Sequence, residues 1–319
     1  MTERRTKKRL LCADLVRVDW RVRTLEGVLE DISPQGACVQ LDEPIPPGEA
    51  MSISRPAADD ALFQGLVTYC VRRDCGFLVQ WPMPDAVRLL EAYGAVEDPL
   101  YLAEKENRYL TFRRALGLLG PPDGRRLLDV GAYCGIFVDV ARQAGFAAEG
   151  IELSRWAVRE ARALGLPVRN ETLVEAARTG ARYDVLTLWD VIEHLADPRQ
   201  ELLAAAELLR PGGEIHVSTI DAASLLARVL GARWPWLMDM HVVYFDRRTL
   251  PRLLGETGFR VVRRRAYTHT VSADYLLRKA GASFPALSPL FRLARRLVPG
   301  RLPVPVNLGD NMVVTAVRR

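Results

Sequence analysis

One turn constrains this chain more than any other stretch. Leu127-Leu128-Asp129-Val130-Gly131-Ala132-Tyr133-Cys134-Gly135 runs from an apolar strand straight into a helix. Glycines at such a junction let the backbone approach a ligand while the helix N-terminus faces its polar end. Seventeen residues beyond Gly135, the next apolar run ends in Gly150-Ile151-Glu152-Leu153-Ser154. A carboxylate at a strand end suits a ribose diol, which offers two O–H donors. Asp129 within the turn argues against a phosphate ligand by charge repulsion. Buried-type strands at 126–130, 148–152, 184–189, 214–219, 260–265 and 312–317 alternate with helices. Ser154 and the pair Asp197-Pro198 supply helix starts. This alternation predicts a doubly wound, Rossmann-like α/β sheet.

Before residue 84 the grammar is different. Val16, Val18 and Trp20 alternate with Arg17 and Asp19, and similar runs follow at 27–32, 36–41, 49–53, 62–71 and 76–81. Period-2 runs separated by turn formers such as Ser33-Pro34-Gln35-Gly36 and Pro46-Pro47-Gly48 predict a small antiparallel β-barrel. Residues 85–93 and 101–119 read as helices, with Glu97-Asp98-Pro99 as a boundary. The expected organisation is a barrel over 1–84, a linker over 85–99, and an α/β domain over 100–319 with an insert at about 267–307.

Composition supports two cores. The 319 residues are 49% apolar and 26% charged, which excludes a disordered, collagen-like or disulfide-scaffold chain. No run approaches the roughly 20 apolar residues of a membrane span, and the basic N-terminus lacks a signal peptide's apolar stretch. Five cysteines, odd in number and without a CxxC pair, fit a reducing cytoplasm and no structural metal. Residues 247–319 carry 15 basic and 3 acidic side chains, yet without an aromatic-interleaved platform, so no nucleic-acid polymer is expected as partner.

Residues 1–9 hold five basic side chains and one acid. An arginine fork pairs bidentately with phosphate and stacks on a base face. Taken alone, these arginines read as a solvated tail. Asp31-Ile32-Ser33-Pro34-Gln35-Gly36 begins 22 residues after Arg9. Arg4, Arg5 and Arg9 as RRxxxR, then DxSxxG, then a compact barrel, resemble the PilZ domain, a cyclic di-GMP receptor. The resemblance implies that Arg4, Arg5 and Arg9 grip phosphates and stack on guanine, with Asp31, Ser33 and Gly36 completing the pocket.

The glycine turn, the segment 183–194 (YDVLTLWDVIEH) and Leu209-Arg210-Pro211-Gly212-Gly213 resemble class I S-adenosylmethionine-dependent methyltransferases, in the branch that includes ubiquinone-type O-methyltransferases. The resemblance implies cofactor contacts from Asp129, Gly131, Ala132 and Gly135 at the methionine end and Glu152 at the ribose. It places Leu153, Thr172 and Leu173 by the adenine, and Trp189 and Asp190 by the sulfonium. Tyr133 departs from the pattern, which usually has glycine there, and a bulky residue at that point either shields the cofactor or obstructs it.

A hydroxyl acceptor must lose its proton, which a group titrating near neutrality does best. Of the four histidines, His194 follows the cofactor strand and His241 lies in the acceptor-facing segment, so both are catalytic candidates. His216 reads as structural and His269 is undecided. Glu193, His194 and His241 have no spacing that demands a metal, and none is expected. In the insert, Leu287, Leu290, Ala294 and Leu297 share a helical face beside Arg292, Arg295 and Arg296. That helix reads as packed on the domain, with a lid or a membrane-touching surface as the alternative. The expectation is a cytoplasmic methyltransferase responsive to cyclic di-GMP, acting on a small-molecule, glycan or lipid acceptor. Two alternatives stay open: a non-enzymatic cyclic di-GMP adaptor on a degenerate methyltransferase fold, and an enzyme with an inert barrel.

Overall fold

Apolar runs that are hydrophobic on both faces belong at the centre of a sheet, and runs that alternate belong where one face meets water. A computed structural model of the protein follows that rule. It describes residues 10–20, 23–33, 36–41, 50–54, 61–66, 69–72, 78–81, 86–231, 234–238, 240–283 and 287–319. The chain divides into two units: Met1–Pro84 with Arg228–Tyr244, and Asp85–Ala227 with Phe245–Arg319. The grouping of 228–244 with the first unit has no counterpart in the sequence reading.

The first unit is built from β1 (Leu10–Trp20), β2 (Arg23–Ser33), β3 (Gly36–Leu41), β4 (Ala50–Ser54), β5 (Ala61–Leu66), β6 (Tyr69–Arg72) and β7 (Leu78–Trp81). Among the described residues these strands pair as two antiparallel sheets. One has the order β3-β2-β1-β4-β5, and the other joins β6 and β7 to a short strand at Val243–Tyr244. The run read as one strand over 62–71 is two, because the chain leaves the first sheet after Leu66 and enters the second at Tyr69. Asp31 and Ser33 lie on β2, and Ser33 stands opposite Gly36 at the start of β3. Arg4, Arg5 and Arg9 lie outside the described residues.

The second unit opens with α1 (Ala86–Gly94), α2 (Pro99–Ala103) and α3 (Lys105–Leu116). The helix read over 101–119 breaks at Glu104. Its carboxylate accepts hydrogen bonds from Asn107 Nδ2 and from Ser272 N and Oγ, so the chain turns there to serve a distant strand. Next come β8 (Arg126–Val130), α4 (Ile136–Gln143), β9 (Ala147–Ile151), α5 (Arg155–Ala163), β10 (Val168–Arg169), α6 (Leu173–Arg178), β11 (Tyr183–Trp189), α7 (Pro198–Leu208), β12 (Leu209–Ile220) and α8 (Leu225–Leu230). After β13 (Val243–Tyr244, the short strand of the first unit) follow α9 (Thr249–Glu256), β14 (Phe259–Ala266), β15 (His269–Ser272), α10 (Ala273–Ser283), α11 (Ser288–Leu297), β16 (Pro303–Val306) and β17 (Asn311–Arg318).

Seven strands form one sheet in the order β10-β9-β8-β11-β12-β17-β14. The first five run parallel, and β17 is antiparallel to both β12 and β14. The order reverses between β8 and β11, which opens a crevice at the carboxyl ends of those strands. Leu127, Phe137, Val138, Val158, Val185 and Trp189 belong to one buried cluster beneath it. Each fully buried residue of this kind contributes about 1.5–3 kcal/mol.

Two features escaped the sequence. β10 is only two residues long and too short to show a period. The β15–β16 pair alternates through Pro303 and Pro305, which disguises a strand. At the sheet's edge, Arg260, Val262, Arg263, Arg264 and Arg265 of β14 are exposed. The leucine face of α11 is also exposed rather than packed on the domain, because no residue of that helix is buried.

Candidate functional site

The turn after β8 is shaped by close approaches. Gly131 has φ +67°, and a Cβ there would lie 2.5 Å from Val191 Cγ2, so glycine lets the turn abut the segment after β11. Gly135 caps α4 with φ +76°, and its Cβ would strike Leu166 Cδ1 at 2.8 Å. Ala132 is buried, and its Cβ lies 2.5 Å from where a Cβ on Gly150 would be, so this small pair fixes the turn against β9. Tyr133 takes φ +48°, which is uncommon for a side-chain-bearing residue. Its ring packs edge-on to Tyr101 at 4.5 Å and near Trp156 at 5.9 Å.

Two carboxylates stand at adjacent strand ends. Asp129 is 2% exposed and accepts a 2.6 Å hydrogen bond from Thr187 Oγ1, its register partner on β11. Burial pushes its carboxyl up to about 8; the Thr187 hydroxyl opposes that rise and the Glu152 charge adds to it. Glu152 follows β9 and is held from both sides. Oε2 accepts from the Tyr133 amide at 2.9 Å, and Oε1 from the Ser154 amide at 2.7 Å. Burial raises the Glu152 pKa while these amides pull it down. Each carboxylate oxygen keeps a further lone pair for a ligand hydroxyl. Asn170 Nδ2 donates to the carbonyls of Glu152 and Leu153 at 2.9 and 2.8 Å, clamping this corner. Thr172 caps α6 in a reciprocal box with Glu175, and Leu173 is buried behind it.

At the end of β11, Trp189 stacks on Tyr267 with centroids 5.5 Å apart and planes 10° from parallel. Trp189 Nε1 and the Tyr267 hydroxyl are both buried without a hydrogen-bond partner among the described residues. Asp190 has φ +56°, and its Oδ1 accepts from Ser218 Oγ at 2.8 Å. Its Oδ2 lies 3.6 Å from His269 Nε2, and the His269 ring meets Tyr267 edge-on at 4.8 Å. The Arg108 guanidinium sits 4.8 Å over the Tyr101 ring. Burial raises the Tyr101 and Tyr267 hydroxyls far above their ordinary range, so both remain neutral donors.

The candidate histidines are held differently. His194 Nδ1 is 2.9 Å from the Tyr93 hydroxyl, and the neighbouring Glu193 is pushed up to about 8 by burial and by the Asp190 charge. His241 belongs to the first unit, where its Nδ1 faces the Trp236 carbonyl at 2.8 Å. His216 is fully buried in β12, with Nδ1 3.1 Å from Thr315 Oγ1.

The fold therefore gathers Asp129, Gly131, Ala132, Gly135, Glu152, Trp189 and Asp190 at the carboxyl ends of β8, β9 and β11. Leu153, Thr172 and Leu173 border them past β9 and β10, and His194 follows β11. Tyr101, Arg108, Asn170 and Tyr267 were not singled out in sequence, and His269 was left undecided. None of them carried a local signal; β10, which Asn170 follows, is too short to show a period.

A sequence profile described as a methyltransferase domain matches residues 101–264, just over half of the chain. The chain belongs to that family. Among its relatives, the ubiquinone biosynthesis O-methyltransferase of Ralstonia nicotianae is 37% identical over 123 residues, covering 36% of this chain and 52% of the relative. The protein of that name from Bordetella avium is 35% identical over 126 residues, covering 37% and 52%. The chain thus spans about half the length of the curated relatives it matches. Among solved structures, a SAM-dependent methyltransferase from Archaeoglobus fulgidus aligns with TM-score 0.49 and 16% identity over 69% of this chain and all of that one. A magnesium protoporphyrin IX methyltransferase from Synechocystis with bound S-adenosylhomocysteine aligns with TM-score 0.46 and 17% identity over 73% and 94%. The matched residues run from the Tyr101 helix to β14, so the methyltransferase domain contains the glycine turn, both strand-end acids and the Trp189–Asp190 pair.

Proposed function

We propose that this enzyme transfers a methyl group from S-adenosylmethionine to an oxygen acceptor. One observation carries the reading: Glu152 is aimed by two backbone amides at the carboxyl end of β9, beside the sheet's point of reversal. The residues present fit the cofactor. Glu152 and Asp190 make these strand ends acidic, which suits a ligand bearing a sulfonium and an ammonium, and a bound ammonium would draw the proton off the buried Asp129. The unpartnered Trp189 Nε1 and Tyr267 hydroxyl offer unused donors. When bound, the cofactor supplies an electrophilic methyl group on sulfur.

The protein's own residues do the rest. Glu152 would accept from the ribose hydroxyls, and Asp129 from the amino group. Gly131, Ala132 and Gly135 would admit the methionine end, while Leu153, Thr172 and Leu173 would flank the adenine and Trp189 and Asp190 would border the sulfur. Holding two reactants in line is worth roughly 7–11 kcal/mol of barrier. His269, whose Nε2 lies 3.6 Å from Asp190 Oδ2 beside the Trp189–Tyr267 stack, is the group placed to take the acceptor's proton. His194 and His241 are the other candidates. The O-methylation for which the relatives are named supports an oxygen acceptor on a small molecule, with glycan and lipid hydroxyls as further classes.

Calorimetry with S-adenosylhomocysteine tests the cofactor site. The full chain is expected to bind it and Glu152→Ala to lose at least about tenfold in affinity, since two charge-assisted hydrogen bonds disappear. Absence of binding by the wild-type chain would overturn the reading in favour of the adaptor.

For the N-terminal segment we propose cyclic di-GMP binding through Arg4, Arg5, Arg9, Asp31, Ser33 and Gly36. The motif pair and the antiparallel β2–β3 ladder that ends at Ser33 and Gly36 support it. Arg5→Ala is expected to abolish heat on cyclic di-GMP titration. A wild-type chain that gives none removes the proposal.

A further inference from the structure

We infer that the α10–α11 hairpin is a docking surface for an anionic lipid bilayer. The inference stands apart from the methyl-transfer reading and begins with what α11 leaves uncovered. Leu287, Leu290, Leu293 and Leu297 are 49%, 61%, 52% and 75% exposed, and their spacing of three, three and four lines them along one side of the helix. Scattered exposed leucines are ordinary, whereas one at the N-cap and three more along one side of a ten-residue helix are not.

The helix does not need this row to hold its place. Its other side faces α10, where Phe291 lies beside Gly281, and Arg295 Nε donates to Asp274 Oδ1 at 2.6 Å. Arg278 Nε donates to the other oxygen of the same carboxylate at 2.6 Å. Asp274 is the single acid between residues 267 and 307, against six basic residues. Its charge is already engaged by two arginines. Arg292 and Arg296, four residues apart and exposed, form a second row beside the leucines, and exposed Arg301 follows the helix.

Charge and shape together select the occupant. Among the described residues the row of leucines carries no aromatic anchor, which fits a deformable apolar layer better than a protein pocket. Arginines flanking that row can keep their guanidinium groups at headgroup depth while their stems follow the leucines inward. A surplus of cations selects anionic headgroups. No helix among the described residues is long and apolar enough to cross a membrane, so the contact lies in the plane of the surface.

The test is co-sedimentation of the full chain with vesicles of phosphatidylcholine alone and of phosphatidylcholine mixed with phosphatidylglycerol. The chain is expected to pellet with the mixed vesicles and to stay in solution with the neutral ones. The basic residues at 1–9 also attract anionic vesicles, so the leucines must decide. Leu290→Asp with Leu293→Asp and Leu297→Asp is expected to weaken partitioning by at least about tenfold. Arg292→Glu with Arg296→Glu is expected to weaken it at low salt, with far-ultraviolet circular dichroism and the thermal midpoint confirming that both variants fold. The inference is overturned if the wild-type chain ignores the mixed vesicles, or if the leucine variant pellets as well as wild type. A concentration-dependent dimer that the leucine variant abolishes, without vesicle binding, overturns it in favour of a second copy as the occupant.

Discussion

Asp129 is a carboxylic acid almost without water, and its titration reaches into stability. Its folded-state pKa of about 8 lies above the ordinary carboxylate range, with burial as the first cause. Between those values the folded state retains a proton that the unfolded state has released. The stability this contributes is therefore complete below the unfolded pKa and is lost as pH rises towards 8. The thermal midpoint of the wild-type chain is expected to fall between about pH 5 and pH 8, and Asp129→Asn to flatten that slope. It will not remove the slope, because burial also lifts Glu193 to about 8 and Glu201 to about 7. Equal slopes in a differential scanning series would exclude Asp129 as a titrating group. His269→Gln is expected to lower turnover of a hydroxyl acceptor by about a hundredfold or more. Its affinity for S-adenosylhomocysteine should not change. The same losses in His194→Gln, with His269→Gln unaffected, would move the base to His194. These roles differ in how far the sequence announces them. Asp129 and Glu152 stand at the ends of apolar runs, where local pattern is enough. His269 meets Asp190 only because β14 and β15 carry the chain back across the sheet, and no local period encodes that return.

At the scale of elements, strand and helix positions in the second unit were legible because buried parallel strands are continuous apolar runs bounded by turn formers. The misses have local causes. β10 is too brief for a period, Glu104 breaks a helix to reach Ser272, and β16 hides behind two prolines. The turn after β8 makes the clearest test of how elements fit. Gly131→Ala places a methyl 2.5 Å from Val191 Cγ2 at a backbone angle that alanine disfavours. It is expected to cost about 1–3 kcal/mol of stability in chemical denaturation. Val191→Ala in the same chain should recover the steric part and leave the backbone part, about 1 kcal/mol. Full recovery would mean that the positive φ carries no strain, and none would mean that the collision does not occur.

At the scale of the whole molecule, two units carry two proposed nucleotide sites, and the question is whether they communicate. Coupling exists only if cyclic di-GMP changes the affinity for S-adenosylhomocysteine, and the reverse change must then be equal. A regulated enzyme is expected to show a shift of about fivefold or more in either titration order. Identical affinities with and without the second nucleotide, both sites being occupied, would make the first unit a passenger of the catalytic one. The change of grammar at residue 84 was visible in sequence. The return of 228–244 to the first unit was not, because a two-residue strand at Val243–Tyr244 leaves no pattern.

Among the described residues the sheet of the second unit ends in β14, where Arg260, Arg263, Arg264 and Arg265 are exposed. A bare strand margin is an invitation to polymerise, since its free amides and carbonyls will accept any extended neighbour. Two such margins from separate molecules would bring eight guanidinium groups together, so each copy repels its twin where it is stickiest. The arginines that look like a surplus in composition thereby oppose the pairing of this margin with that of another copy.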